Sequence, residues 1–219
     1  MTIITPPPMT TPTRFAHIDV ARGILIVMLV MLHTFWVCHS WYHIDNKTLD
    51  LIRPHFNGVL YSFLMNAFFV ITGYCTNWHR PFVDFARHNA KSLLVPAIVF
   101  TILVPLLLRQ FNLREVTRTL VFYGGKYWFL IALLISKLLY YVIIRLSSSI
   151  AVRVIACVAL AASGVLLNQF TEWPNYWWIN HALVLTFSLG VGHVLRNCDR
   201  QIIYTCSAIT FFYSSYFGI

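Results

Sequence analysis

Seven apolar runs, each near the length of a bilayer-crossing helix, succeed one another along this chain and decide what it can fold into. They lie at roughly 19–41, 57–78, 92–109, 127–145, 151–168, 177–196 and 201–219. About 20 apolar residues in helical form cross the hydrocarbon core of a bilayer, and a helix satisfies its own backbone polar groups there. Of the 219 residues, 58% are hydrophobic and only 11% charged. A soluble core of this length could not bury so much apolar surface. The expectation is an all-α, polytopic transmembrane helical bundle of about seven spans. Residues 1–16 are polar and Pro-rich and read as a disordered cytoplasmic leader; residues 17–219 read as one membrane domain. A cleaved signal peptide does not fit, because the first apolar run is span-length and aromatic and His residues follow it.

Charge orients the bundle. With the N-terminus inside, the inner segments hold Arg14, Arg22, Arg80, Arg87, Lys91, Arg145, Arg153, Arg196 and Arg200; the outer ones hold Lys47, Arg53, Arg109, Arg114, Arg118 and Lys126. The Lys/Arg bias of short loops therefore puts the N-terminus in the cytoplasm. The segment 110–126, with Arg114 and Arg118 on the minority side, reads as an amphipathic helix lying on the outer surface. Lys137 falls inside the fourth run and either snorkels or faces the interior. Aromatics collect at span ends: Trp36, Trp41, Trp78, Tyr127, Trp128, Trp173, Trp177 and Trp178. The net charge of +9 is spread between apolar runs, which fits anchoring and not nucleic-acid binding. The five cysteines form no CxxC pair and read as buried small hydrophobes.

The first span carries two ionisable groups. Arg22 and His33 are eleven positions apart, about three helical turns or roughly 16 Å along one stripe. Ionisable residues within a span face the protein interior or a wet cavity by default. Arg offers a rigid fork of donors suited to phosphate, and a neutral His can act as a base. The plainer readings are an Arg22 anchor paired with Asp19 and a His33 hydrogen bond locking two helices. Arg87 and Lys91, four apart before Pro96, share one helix face at the inner mouth of the third span; they are either ordinary inner charge or a grip on a polyphosphate. His39 and His43 are an i,i+4 pair without an evident third ligand, so no metal site is expected. His55 is a weaker candidate, and His181 and His193 read as interhelical or interfacial.

The order of these elements matters more than any one of them. Asp19-x-x-Arg22-Gly23 with His33, then Phe68-Phe69-x-x-x-Gly73-Tyr74, then Arg87 and Lys91 ahead of Leu94-x-Pro96, then Trp128-Phe129-Leu130, resembles the acyltransferase 3 family of integral membrane acyltransferases. The branch it is most similar to includes sugar O-acetylases of the fucose 4-O-acetylase type. The resemblance covers roughly residues 15–135. Where the family often shows Phe-His-Met-Pro-Leu-Phe-Phe, this chain has Phe63-Leu64-Met65-Asn66-Ala67-Phe68-Phe69. The family has about ten helices, and the chain stops directly after an apolar run, so it reads as a short or truncated member.

The resemblance implies a multi-pass protein of the cell inner (plasma) membrane. It implies transfer of an acyl group, acetyl first, from cytoplasmic acetyl-CoA or another acyl-CoA to a hydroxyl of a sugar or envelope polysaccharide, without a metal. By position it makes His33 the catalytic histidine, acting either as base or as transient acyl carrier. It assigns Arg22, Arg87 and Lys91 to the acyl-CoA phosphates. Asp19, Tyr74 and Trp128 are candidates for lining the site. The partners expected are the lipid bilayer, acyl-CoA and the acceptor, with no nucleic acid. A transporter or flippase, and an inactive membrane subunit of the same family, are the rival readings.

Overall fold

Long apolar stretches without a central Gly-Pro break favour continuous helix, and helix is what forms. The computed structural model of the chain describes residues 16–42, 62–124, 127–170 and 176–197, with the side chains of all but 16–17, 35–42 and 197. Helices account for 89% of the described residues, and no strand occurs among them. Helix α1 spans Ala16–Tyr42, about 40 Å at the usual rise. Helix α2 spans Ser62–Cys75. A single helical run, Phe82–Leu107, contains α3 (Phe82–Asn89), a π-helical turn (Ala90–Leu94) and α4 (Val95–Leu107). Then come α5 (Leu113–Tyr123), α6 (Trp128–Leu146), α7 (Ile150–Phe170), a short 3₁₀ turn (Tyr176–Trp178) and α8 (Ile179–Asn197).

Four helices among the described residues are long and apolar enough to cross a membrane: Phe82–Leu107, one within Leu113–Leu146, Ile150–Phe170 and Tyr176–Arg196. Helices α1, α6, α7 and α8 coincide with expected spans. The third run begins ten residues earlier than expected, at Phe82. The count of seven leans on 57–61 and 201–219, which lie outside the described residues, as does most of the leader.

Local chemistry explains the breaks. Pro96 has no N–H to give the Ser92 carbonyl four residues back, and its ring crowds that carbonyl. The turn just before it widens into the π geometry. Helix α4 ends where Arg109 takes a left-handed conformation (φ 56), and the Gln110 N–H closes on the Pro105 carbonyl at 2.9 Å, a Schellman-type stop. The expected helix within 110–126 is α5. The Asn112 side chain caps it by accepting from the Arg114 and Glu115 N–H groups at 3.1 and 3.3 Å. Gly124 ends it at φ 69, a conformation that favours glycine.

Helix α8 is the hub. It packs on α7, α6 and α2, and the approaches are close because glycine sits at the crossings. A Cβ at Gly73 of α2 would fall onto the Leu189 carbonyl, and one at Gly192 of α8 onto that of Val70. The Gly73 of the Phe68-Phe69-x-x-x-Gly73-Tyr74 motif is therefore a helix-crossing residue. Asn66 tightens the same seam by accepting a hydrogen bond from the Ser188 hydroxyl. Buried Cys157, Ala161 and Gly164 form the face that α7 turns inward. The core fills with Phe69, Trp78, Phe85, Tyr140, Tyr141 and Leu189. Helix α1 packs on α2 through Leu25 and Leu32 against fully buried Leu64, with Met28, Ala67, Phe68 and Ile71 around them. Leu64 occupies the position that is histidine in the family's usual pattern, and here it is seam packing.

The bundle has two chemically distinct ends. One is basic: Arg145 donates to the Arg80 carbonyl (3.2 Å) and to the Tyr141 hydroxyl, and Arg196 donates to the Thr76 carbonyl (2.9 Å). The other is aromatic. The Trp128 ring meets Trp178 at 5.7 Å and His181 at 5.4 Å, and Trp177 donates to the Val121 carbonyl.

Candidate active site

Two polar residues from separate helical runs meet within the membrane-spanning part of the bundle. Lys137, midway along α6, donates from Nζ to the Asn89 Oδ1 at 2.8 Å. Asn89 is 4% exposed, and its Nδ2 donates to the Phe85 carbonyl at 2.8 Å. It sits where α3 passes into the π turn, a geometry found disproportionately at functional sites. A neutral amide oxygen compensates only part of an ammonium charge set among apolar helices. The remaining charge favours an anion beside Lys137. Arg22 lies on α1, the helix that packs on α2.

His33 lies about 16 Å further along the same stripe of α1. By helical phase the Arg22–His33 stripe is roughly 60–100° round from Leu25 and Leu32, so it borders the seam with α2. Arg22 is half-buried and His33 exposed. The His33 Nδ1 meets the Leu29 carbonyl at 2.8 Å. A carbonyl only accepts, so Nδ1 is the donor in this bond and Nε2 is left out of it. A general base acts through that second nitrogen.

The other expected residues are spread out. Arg87 and Lys91 are exposed, on the side of their helix away from buried Phe85 and Asn89. Asp19, in the first turn of α1, and half-buried Tyr74, in the last turn of α2, are both near the basic end. Trp128 is at the aromatic end, about 28 Å away along α6. Those three do not form one site lining. His39, His43 and His55 lie outside the described side chains. His193 closes a cluster of three rings with Trp78 and Tyr140. Its ring is 5.7 Å from Trp78, and its Nδ1 lies 2.9 Å from the Tyr140 hydroxyl, which links α6 to α8.

Lys137 and Asn89 carry more of the site than the pattern of motifs indicates. The signal for Lys137 is in the sequence: a cation with about eight apolar or aromatic neighbours on either side, too deep to reach an interface without cost. Asn89 gives no such signal, because its role comes from the π turn and from burial.

A family model described as an acyltransferase domain matches residues 15–218 of the chain. No curated protein and no solved structure matches it.

Proposed function

The chain belongs to the acyltransferase 3 family, a family of membrane acyltransferases, and we propose that it is an O-acyltransferase drawing on cytoplasmic acyl-CoA. The donor phosphates enter at the basic end and are held by Arg22 and Lys137, with Asn89 orienting the lysine and exposed Arg87 and Lys91 drawing the anion in. The pantetheine arm then runs along α1 towards His33. The acceptor is a hydroxyl of a sugar or envelope polysaccharide, and the acyl group is acetyl.

His33 Nε2 takes the hydroxyl proton as the oxygen attacks the thioester carbonyl. The C–S bond breaks, the acyl group passes to oxygen as an ester, and the proton ends on the CoA thiol. The observation that supports this most is the Lys137–Asn89 pair among the membrane-spanning helices, together with Arg22 and His33 on one stripe of α1. The test is acetylation of envelope polysaccharide in cells expressing the wild type, Arg22→Gln, Lys137→Met or His33→Ala. Loss of the product in all three variants, with each protein present in the membrane, is the expected result. Unchanged product in His33→Ala removes the proposal.

A further inference from the structure

A second feature lies between α7 and α8, one turn along α6 from Lys137. It is a recess of about 190 Å³ lined by Tyr140, Gly190, Val154, Cys157, Phe187 and Val194. Gly190 makes the recess possible: a Cβ there would stand 3.0 Å from the Tyr140 ring and 3.2 Å from the Cys157 Sγ. An apolar cavity of about 150 Å³ already holds a benzene-sized guest and stays dry. Val154 at its lip is 43% exposed, so the recess opens sideways from two membrane-spanning helices.

The one charged group on this recess is Arg153, within the first turn or so of α7. Its Nε donates to the Ser147 carbonyl at 2.7 Å, which pins the guanidinium at the basic rim. Helices α6, α7 and α8 carry Lys137, Arg145, Arg153 and Arg196 and not one carboxylate. The carboxylates among the described residues are Asp19, Asp84 and Glu115, on α1, α3 and α5. The counter-charge for this rim has to come from outside these helices.

We infer that the recess is a binding site for an anionic phospholipid of the leaflet at the basic end, its phosphate on Arg153 and one acyl chain laid along the groove past Val154, Cys157 and Gly190. The combination is specific. An apolar slot alone takes any lipid chain, and a guanidinium alone takes any anion. Only a lipid with a net negative headgroup satisfies both, at the depth where headgroup and chain meet.

The experiment is native mass spectrometry of the purified protein released from nanodiscs holding equal phosphatidylglycerol and phosphatidylcholine. The wild type is expected to retain one phosphatidylglycerol in preference to phosphatidylcholine. Arg153→Gln should lower that retention about fivefold or more, the weight of one cation against an anionic lipid. Val194→Trp fills the groove and leaves every charge in place, and it should lower retention of both lipids. Helical circular dichroism and elution as a single species qualify each variant, and Val194→Trp carries the test if Arg153→Gln does not fold. Equal retention of the two lipids by the wild type overturns the site. So does wild-type retention in either variant, which is the result expected if segment 201–219 or a further protein occupies the groove.

Discussion

The pair formed by Lys137 and Asn89 makes a prediction that separates a held charge from ordinary packing. Asn89 is 4% exposed, and its Oδ1 is the hydrogen-bond acceptor for the Lys137 ammonium. Asn89→Leu keeps the branched shape but removes the acceptor of that ammonium, at a cost of about 3 kcal/mol for a charged donor left unsatisfied. Lys137→Met conserves the stem and strands only a neutral oxygen, about 1–3 kcal/mol. The double variant Asn89→Leu/Lys137→Met removes both polar partners, and such replacement is near neutral. The single asparagine variant should therefore be less stable than the double one, so that the two single losses fail to add. For a chain this size each kcal/mol moves the midpoint about 2–4 °C, so Asn89→Leu should melt about 6–12 °C low while the double variant stays within a few degrees of the wild type. Tryptophan fluorescence of the protein in micelles reads the midpoints. Acyl-CoA at about 100 times its Kd should add about 2.7 kcal/mol to the wild type, and most of that should be missing in Lys137→Met. The reasoning fails if Asn89→Leu and the double variant melt together, because the stranded charge is then not the source of the loss.

Three further outcomes follow from the same geometry. His33→Ala should lower transfer by about 10²–10⁴-fold, the usual weight of a general base, while acyl-CoA binding by calorimetry stays at the wild-type value; a weakened donor affinity would move His33 from the chemistry to the donor site. Gly192→Ala should destabilise the α2–α8 crossing by about 1–3 kcal/mol through overpacking, since its Cβ meets the Val70 backbone carbonyl, and a midpoint equal to the wild type's would show that the helices part freely. Arg87→Gln and Lys91→Gln should raise the donor KM a few-fold and flatten its dependence on salt, because exposed cations act through screened steering. Arg22→Gln should raise it about tenfold or more at any ionic strength, and an equal salt response in all three would place Arg22 on the surface.

Much of the scaffold can be read from one dimension. The apolar runs announce most of the helices, because span length is a local matter. The Arg22–His33 stripe is equally legible, since helical phase alone puts two residues eleven apart on one side. The motif order points to the family. Gly73 reads from the sequence as a residue that permits close helix approach, but which helix approaches it depends on Leu189 and Gly192, more than a hundred residues later.

What only the tertiary structure decides is which charge meets which. Lys137 reads from sequence as snorkelling or inward-facing, and it is the placement of α3 beside α6 that gives it Asn89. Arg87 and Lys91 read as the natural phosphate grip, yet the burial of Phe85 and Asn89 on the opposite side leaves that pair on the surface. A sequence determines the phase of each helix about its own axis, but the rotation of one helix against another is set by side chains that interlock at long range, such as Gly73 with Leu189 and Tyr140 with His193. The site is formed by those rotations, and they appear only when all the helices are packed together.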